Sequence, residues 1–446
     1  MKRNLKIVVG CLITMGLFFF ILNCTDALLE RKAGVKKNED FFQQEGNYDV
    51  LFMGTSHVLN SIFPMELWND YGIVSYNFGG HGNEMATTYW VMMNALDYTK
   101  PKLMVIDCMM LSSNEKLCGD FDYVHLSFDA FPLSKNKILA VDDLWGNSAK
   151  KWDLLWDFTV YHNRWSDLTR EDFEAVPSLE KGAESRIGVA VPASIGRIEQ
   201  SRVIEKETVG EEYLRKMIEE CQKRGIGVLL TYLPFPANAE EQLEAEMVYD
   251  IAEEYGVGYI NFLEMNVVNY QTDCFDAVSH LNPSGAKKVT DYLGEYISAN
   301  YPDMNQKDNV QYSEWHDDYA LYKNFKLQML KEQTEVQNYL MLLADKGYNV
   351  YIEMSDHMIL KDEICCQLLY NLGIKTDLVG EDINYITIES ANIKYEALPG
   401  KDYLENTNEP YLKIRVFDRE TQQLADEVNF TYTYSQKLTT TGVYRS

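Results

Sequence analysis

Apolar and polar residues follow three different rhythms along this chain. The first is a single uncharged run, IVVGCLITMGLFFFILN, over residues 7–23. Its length, about 17 residues, is near the lower limit for a helix that crosses a bilayer. The second rhythm fills residues 48–300, where short apolar runs alternate with amphipathic stretches. YDVLFMG (48–54), IVSYNFGG (73–80), KLMVIDCMM (102–110), GVLLTYLP (227–234) and VGYINF (257–262) read as buried strands, the first two closed by glycine. Helical spacing follows over 60–71, with Ile62, Met65 and Trp68 on one side, and over 84–98, 211–224, 240–255 and 283–300. Such alternation predicts a parallel sheet covered on both faces. The site then belongs in the loops at the carboxyl ends of the strands.

Residues 112–210 interrupt this rhythm. They are rich in Trp, Asp, Phe and Ser and read as an insertion with short helices of its own. The third rhythm begins near residue 306. A long helical stretch over 312–346 is closed by Gly347, and NVYIEMS, NYITIES, IKYEALP, YLKIRVFD and VNFTYTY follow as strand-like runs. The helix-like KDEICCQLLYNLG lies between the first two. The expected organisation is a cytoplasmic tip and anchor (1–24), a juxtamembrane linker or first helix (25–47), an α/β domain (48–305) and an α+β module (306–446).

Composition refines this outline. Apolar residues make up 46% and aromatic residues 13% of the chain, so it folds around a real core. The 41 basic and 68 acidic side chains give a net charge of −27, which repels nucleic acid and anionic headgroups. No nucleic-acid partner is expected. Lys2, Arg3 and Lys6 precede the apolar run, which predicts a cytoplasmic N-terminus with the bulk of the chain outside, held by one span in the cell membrane. A cleaved signal peptide is the rival reading, but no A-x-A site follows the run, and Leu22-Asn23 suits lipidation of Cys24 poorly. The eight cysteines show no C-x-x-C pair and no zinc spacing. Scattered histidines offer no metal motif either, and no phosphate-binding glycine loop is present. Neither a metal nor a cofactor is expected.

Two stretches carry chemistry. In LFMGTSHVLNS (51–61), Ser56 follows the first strand at a helix start. It reads either as an N-cap or as a nucleophile whose oxyanion the helix-start amides would hold. In FDAVSHLNPSGAKKV (275–289), His280 precedes the last helix of the α/β domain, with Asp276 four residues earlier. A histidine there can act as general base if a carboxylate fixes its tautomer. His57 and His81 lie in the same strand-end loops. Tyr161-His162-Asn163-Arg164-Trp165 groups aromatic rings, an imidazole and a guanidinium, and Arg164 suits a carboxylate or phosphate.

Together these residues resemble the SGNH (GDSL-like) hydrolase family, over roughly residues 45–300. The closer likeness is to its membrane-anchored bacterial branch, which includes the teichoic acid D-alanylation proteins and the partners of cell-surface O-acyltransferases. Gly54-Thr55-Ser56 matches the family's nucleophile motif, and His280-Leu281-Asn282 with Gly285 matches its histidine motif. The resemblance implies a flavodoxin-like three-layer α/β/α sandwich. It implies Ser56, His280 and Asp276 as the catalytic set, with the Ser56 amide and Gly79, or else Gly80, at the oxyanion. His57, Asn83 and Arg164 become candidates for substrate binding. Two positions depart from the family pattern. The family's aspartate falls at Ala277, so Asp276 is one residue out of place, and the asparagine after the third strand is missing. GYNVYIEMSD…LLYNLGIKTD in the last module resembles the β-sandwich-like interleukin-like EMT inducer domain, which implies carbohydrate binding.

The expected function is therefore an extracytoplasmic acyl-ester hydrolase or acyltransferase. It would act on a cell-surface polysaccharide or teichoic acid through an acyl-serine, with a membrane O-acyltransferase as the partner the resemblance implies. The alternative is a non-catalytic envelope protein that binds polymer or scaffolds the transferase. A phosphodiesterase or thioesterase is a third option.

Overall fold

A computed structural model describes residues 2–30, 38–42, 48–146, 148, 151–155, 158–173, 179–193, 207–278, 280–380, 382–390, 392–397, 411–432 and 440–445. Five parallel strands form the sheet of the α/β domain: β1 (Val50–Gly54), β2 (Ser75–Gly79), β3 (Leu103–Asp107), β4 (Gly227–Tyr232) and β5 (Gly258–Asn261). Their spatial order is β2-β1-β3-β4-β5. In a doubly wound sheet of this order the chain reverses direction between β1 and β3, and a crevice opens at their carboxyl ends.

Each strand is a continuous apolar run because both of its faces are covered. Leu51, Met53, Met104, Ile106, Leu230 and Tyr232 point into one core. The helices Met85–Ala95, Val209–Lys223 and Ala239–Tyr255 close that core with Trp90, Met92, Leu214, Met217 and Val248. Val50, Phe52, Leu103, Val105 and Leu229 point the other way, towards Val58, Leu67, Val289, Leu293 and Ile297. These last residues lie on the helices Ser56–Ser61, Pro64–Tyr71 and Pro283–Asn300.

Several boundaries differ from the sequence expectation, each for a local reason. The helical spacing read over 60–71 is two helices, because Pro64 has no N–H to continue the first and instead opens the second at its N1 position. The stretch 312–346 also breaks in two, Glu314–Glu332 and Val336–Leu342. The break at Gln333, whose backbone is extended, lets Leu330, Val336 and Leu340 share one core. The first helix runs from Lys2 to Glu30, past the expected end at residue 24. Its segment Leu5–Asp26, 22 residues of mean hydropathy 2.5 with outward-facing side chains, is long and apolar enough to cross a membrane. The expected linker is partly packed: residues 38–42 are helical, and Phe41 stacks on Tyr48 at 5.1 Å between ring centroids.

The insertion adds the helices Phe121–Phe128, Lys135–Trp145, Lys151–Leu155 and Phe158–Tyr161, with 3-10 turns at His162–Ser166 and Arg170–Phe173. An extended strap over 183–193 follows. The strap is tied to the α/β domain by Glu184 N–H to Leu59 O (3.0 Å) and Ala190 N–H to Cys274 O (3.0 Å).

The last module is α+β, as its pattern predicts. Its strands are β6 (Tyr348–Met354), β7 (Tyr385–Glu389), β8 (Asn392–Glu396), β9 (Tyr411–Asp418), β10 (Leu424–Tyr432) and β11 (Thr440–Arg445). They form one antiparallel sheet, ordered β11-β10-β9-β6-β7-β8. Among the described residues this is a single sheet rather than a sandwich. The helix Glu363–Asn371 lies between β6 and β7, and Leu368 and Leu369 bury against Val350, Ile352, Ile414 and Phe430. The helix Glu314–Glu332 bridges the two units: Trp315 and Tyr322 sit in the core of the α/β domain, and Leu330 in that of the module.

Candidate active site

The nucleophile candidate stands at the crevice between β1 and β3. β1 ends at Gly54, where φ is +155° and a Cβ would fall 2.6 Å from Val58 Cγ2. Glycine is what lets the strand turn sharply into the Ser56–Ser61 helix. The cap of that helix is Thr55, whose hydroxyl accepts the His57 N–H at 3.2 Å. Of the two sequence readings of Ser56, the cap role falls instead to the neighbouring threonine. Ser56 is the first residue of the helix, and its hydroxyl is free for other work.

That work is visible in the geometry. Ser56 Oγ lies 2.8 Å from His280 Nε2. His280 Nδ1 lies 2.7 Å from Asp276 Oδ2. The one-residue displacement of Asp276 is absorbed by the loop. Asp276 Oδ1 accepts the main-chain N–H groups of Val278 and His280, both at 3.1 Å. Phe275 N–H donates to His280 O at 2.8 Å, and Cys274 pairs with Leu281, so the loop is drawn into a tight hairpin. The side chains of His280 and Asp276 are 26% and 31% exposed, so the dyad is open to a ligand.

A supporting set, of which the sequence reading named Asn282 and Gly285 only as motif matches and missed Asp273, anchors this loop. Asn282 caps the Pro283–Asn300 helix through the amides of Ser284 and Gly285, and its Nδ2 donates to Thr272 O (2.8 Å) and to Gly188 O of the strap (2.9 Å). Asp273, fully buried, pairs with Lys288 at 2.6 Å and accepts the Asn269 N–H at 2.7 Å and the Ser284 hydroxyl at 3.1 Å. The Asn-Pro pair at a helix start was the available signal for Asn282. Asp273 left none, because its partners are distant in sequence.

The expected oxyanion donors are arranged differently. The Gly79 N–H donates to Asn77 Oδ1 at 2.8 Å, and the Gly80 N–H to Gly54 O at 3.1 Å. Both amides are thus engaged within the fold. Gly79 is a glycine for close packing, since a Cβ there would lie 2.2 Å from Leu59 N. Asn83 is buried, accepts the Ser127 hydroxyl at 2.7 Å and braces the loop. Ser56 keeps the helix-start amide, which no intrahelical acceptor uses.

His57 is brought to the site. Its ring is 3% exposed and stands edge-on to Phe235 (4.5 Å) and to His280 (5.5 Å). Burial, and then the proximity of His280, push its pKa down to about 3, so the ring is a neutral wall of the site. His81 faces Glu184 of the strap at 3.3 Å. Arg164 is not brought to the catalytic set. Its guanidinium donates to Leu29 O at the end of the first helix and pairs with Asp172 at 3.0 Å.

One further group was not foreseen. Asp107, at the end of β3, is 1% exposed. Its Oδ1 accepts the Leu233 N–H at 2.9 Å, while its Oδ2 finds no hydrogen-bond partner among the described residues. Burial pushes its pKa up to about 7. A Cβ on Gly54 would lie 3.0 Å from its Cβ, so it sits directly beneath the nucleophile turn.

Compared with known proteins, the chain matches no family model, and no curated protein matches it either.

Proposed function

We propose that this chain is a serine acyl-ester enzyme of SGNH type, acting outside the cytoplasm on an acylated surface polymer. The observation that carries the reading is the continuous hydrogen-bonded chain from Ser56 through His280 to Asp276. The strand order 2-1-3-4-5 supports it, being that of a flavodoxin-like sandwich.

In this mechanism His280 Nε2 takes the Ser56 proton as Oγ bonds to the acyl carbonyl carbon. Asp276 holds the tautomer with Nδ1 protonated and steadies the imidazolium. The tetrahedral oxyanion is held by the Ser56 amide at the helix start. Collapse expels the leaving alkoxide, the polymer's in hydrolysis and the acyl donor's in transfer, which takes the proton back from His280 and leaves an acyl-serine. Water, or a sugar hydroxyl, then gives up a proton to His280 and displaces Ser56. The first route is hydrolysis, the second transfer to polysaccharide or teichoic acid, with a membrane O-acyltransferase as the natural acyl source.

One observation favours a second reading. The Gly79 and Gly80 amides are both engaged, which leaves the oxyanion site with fewer donors than an efficient esterase uses. A non-catalytic envelope protein that binds polymer or scaffolds a transferase would have this feature. A fluorophosphonate probe separates the two. Under the enzymatic reading it labels the full-length protein, and labelling is lost in Ser56→Ala and in His280→Ala. Failure of the unsubstituted protein to label sends the assignment to the scaffold.

A further inference from the structure

The insertion carries an aromatic surface beside the membrane anchor. Trp165 lies in the His162–Ser166 turn and Phe173 in the Arg170–Phe173 turn, and both turns pack against the first helix. Trp152 lies on the Lys151–Leu155 helix, which touches the Phe158–Tyr161 helix, and that helix also packs on the anchor. Trp165 is 73% exposed, Trp152 63% and Phe173 62%. Single exposed apolar residues are ordinary. Three large exposed rings on segments that pack on the first helix, or on a helix that does, are not, because burying any of them would release well over 1 kcal/mol by area alone.

The anchor end is fixed to this surface. Leu29 is 3% exposed, and Arg164 donates to its carbonyl while pairing with Asp172. The helix therefore does not leave the bilayer on a loose tether. Its apolar segment ends at Asp26, only three residues before Leu29. Whatever membrane holds Leu5–Asp26 must have its near surface close to the turns that carry Trp165 and Phe173. Indole and phenyl rings at that depth are the chemistry of the bilayer interface.

We infer that the insertion is a membrane-resting surface: Trp152, Trp165 and Phe173 insert into the interfacial layer of the leaflet from which the domain emerges. The occupant is lipid, and zwitterionic lipid suffices. With a net charge of −27 the chain has no general attraction to anionic headgroups, so the contact rests on aromatic burial and is insensitive to salt. Acting with the anchor, it makes two points of attachment and holds the domain in one orientation rather than letting it swing. The inference does not depend on the catalytic reading of Ser56.

The test uses the full-length protein in phosphatidylcholine nanodiscs with acyl chains brominated at shallow or at deep positions. The first helix contains no tryptophan, and Trp68, Trp90 and Trp315 are buried in the fold; Trp145 and Trp156 stay in every variant, so the difference in quenching between the unsubstituted protein and the variant below reports Trp152 and Trp165. Shallow bromines should quench the emission more than deep ones, equally at low and high salt. The Trp152→Phe/Trp165→Phe double variant should lose about half or more of that quenching. Because both positions are exposed, the variant keeps its fold, which a melting curve verifies. No quenching, quenching unchanged in the double variant, or quenching that appears only after a membrane-embedded protein partner is added would overturn the inference.

Discussion

Asp276 holds His280 twice: Oδ2 faces the ring nitrogen Nδ1 at 2.7 Å, and Oδ1 accepts the main-chain N–H of the same residue at 3.1 Å. The second bond shortens the loop enough for a carboxylate four residues away to reach the ring. This separates two substitutions. Asp276→Asn keeps an oxygen for the main-chain bonds but turns an amide N–H towards Nδ1, forcing the wrong tautomer. Its fluorophosphonate labelling rate should fall by roughly 10³–10⁴ with little change in Tm. Asp276→Ala loses the loop bonds as well and should lower Tm besides. Equal labelling rates for Asp276→Asn and the unsubstituted protein would remove Asp276 from the mechanism.

His57 makes a prediction about acid. Its pKa is 6.5 when unfolded and about 3 in the fold, so the unfolded chain binds more protons between these values. Stability attributable to His57 is complete above about pH 6.5 and falls as pH drops towards 3. His57→Phe keeps the edge contact with Phe235 and removes the titration. Melting curves from pH 4 to 7 should show a shallower acid decline in the variant. Parallel curves would mean that His57 is not held neutral.

Asp107 works with the opposite sign. Its pKa rises from 3.8 to about 7 on folding, so here the folded state binds more protons. The favourable protonated form is complete below about pH 3.8, and stability is lost as pH climbs through 7, at no more than ~1.4 kcal/mol per pH unit. Asp107→Asn leaves an oxygen for the Leu233 amide and cannot ionise. Its Tm should therefore gain on that of the unsubstituted protein steadily between pH 4 and 7. A constant difference across that window would show the carboxyl to be ionised in the fold throughout.

What the sequence disclosed divides along a physical line. Apart from β11, the strands of both sheets were legible because each is an apolar or alternating run ended by a turn signal, as in YDVLFMG and YLKIRVFD. The pairing of Ser56 with His280 was legible because each motif stands at a predicted strand or helix end. Asp276 was named from its place four residues before His280, but whether it reaches the ring depends on how the loop bends, and no periodicity records a bend. Gly79 misled for a similar reason: a glycine required by the approach of Leu59 N looks in sequence like one that bares its amide. The strand β11 was missed because TTGVYR is short and alternates only weakly. Arg164 was misplaced because its partners, Leu29 and Asp172, belong to segments that become neighbours only in the folded chain.

The position of Arg164 yields the remaining prediction. Its partner Asp172 has a side chain only 5% exposed, and its other acceptor is in the last turn of the first helix. Arg164→Ala takes the guanidinium from the buried Asp172 carboxylate and from the Leu29 carbonyl, at a cost of roughly 1–3 kcal/mol. Ser56 labelling should stay within about twofold of the unsubstituted protein, while protease cleavage within residues 158–173 should accelerate severalfold. Arg164→Lys keeps the charge but cannot serve both acceptors with a planar fork, and should fall between the two. A guanidinium that held an acyl carboxylate or phosphate would give the reverse: unchanged proteolysis and a selective loss of turnover on anionic acyl esters.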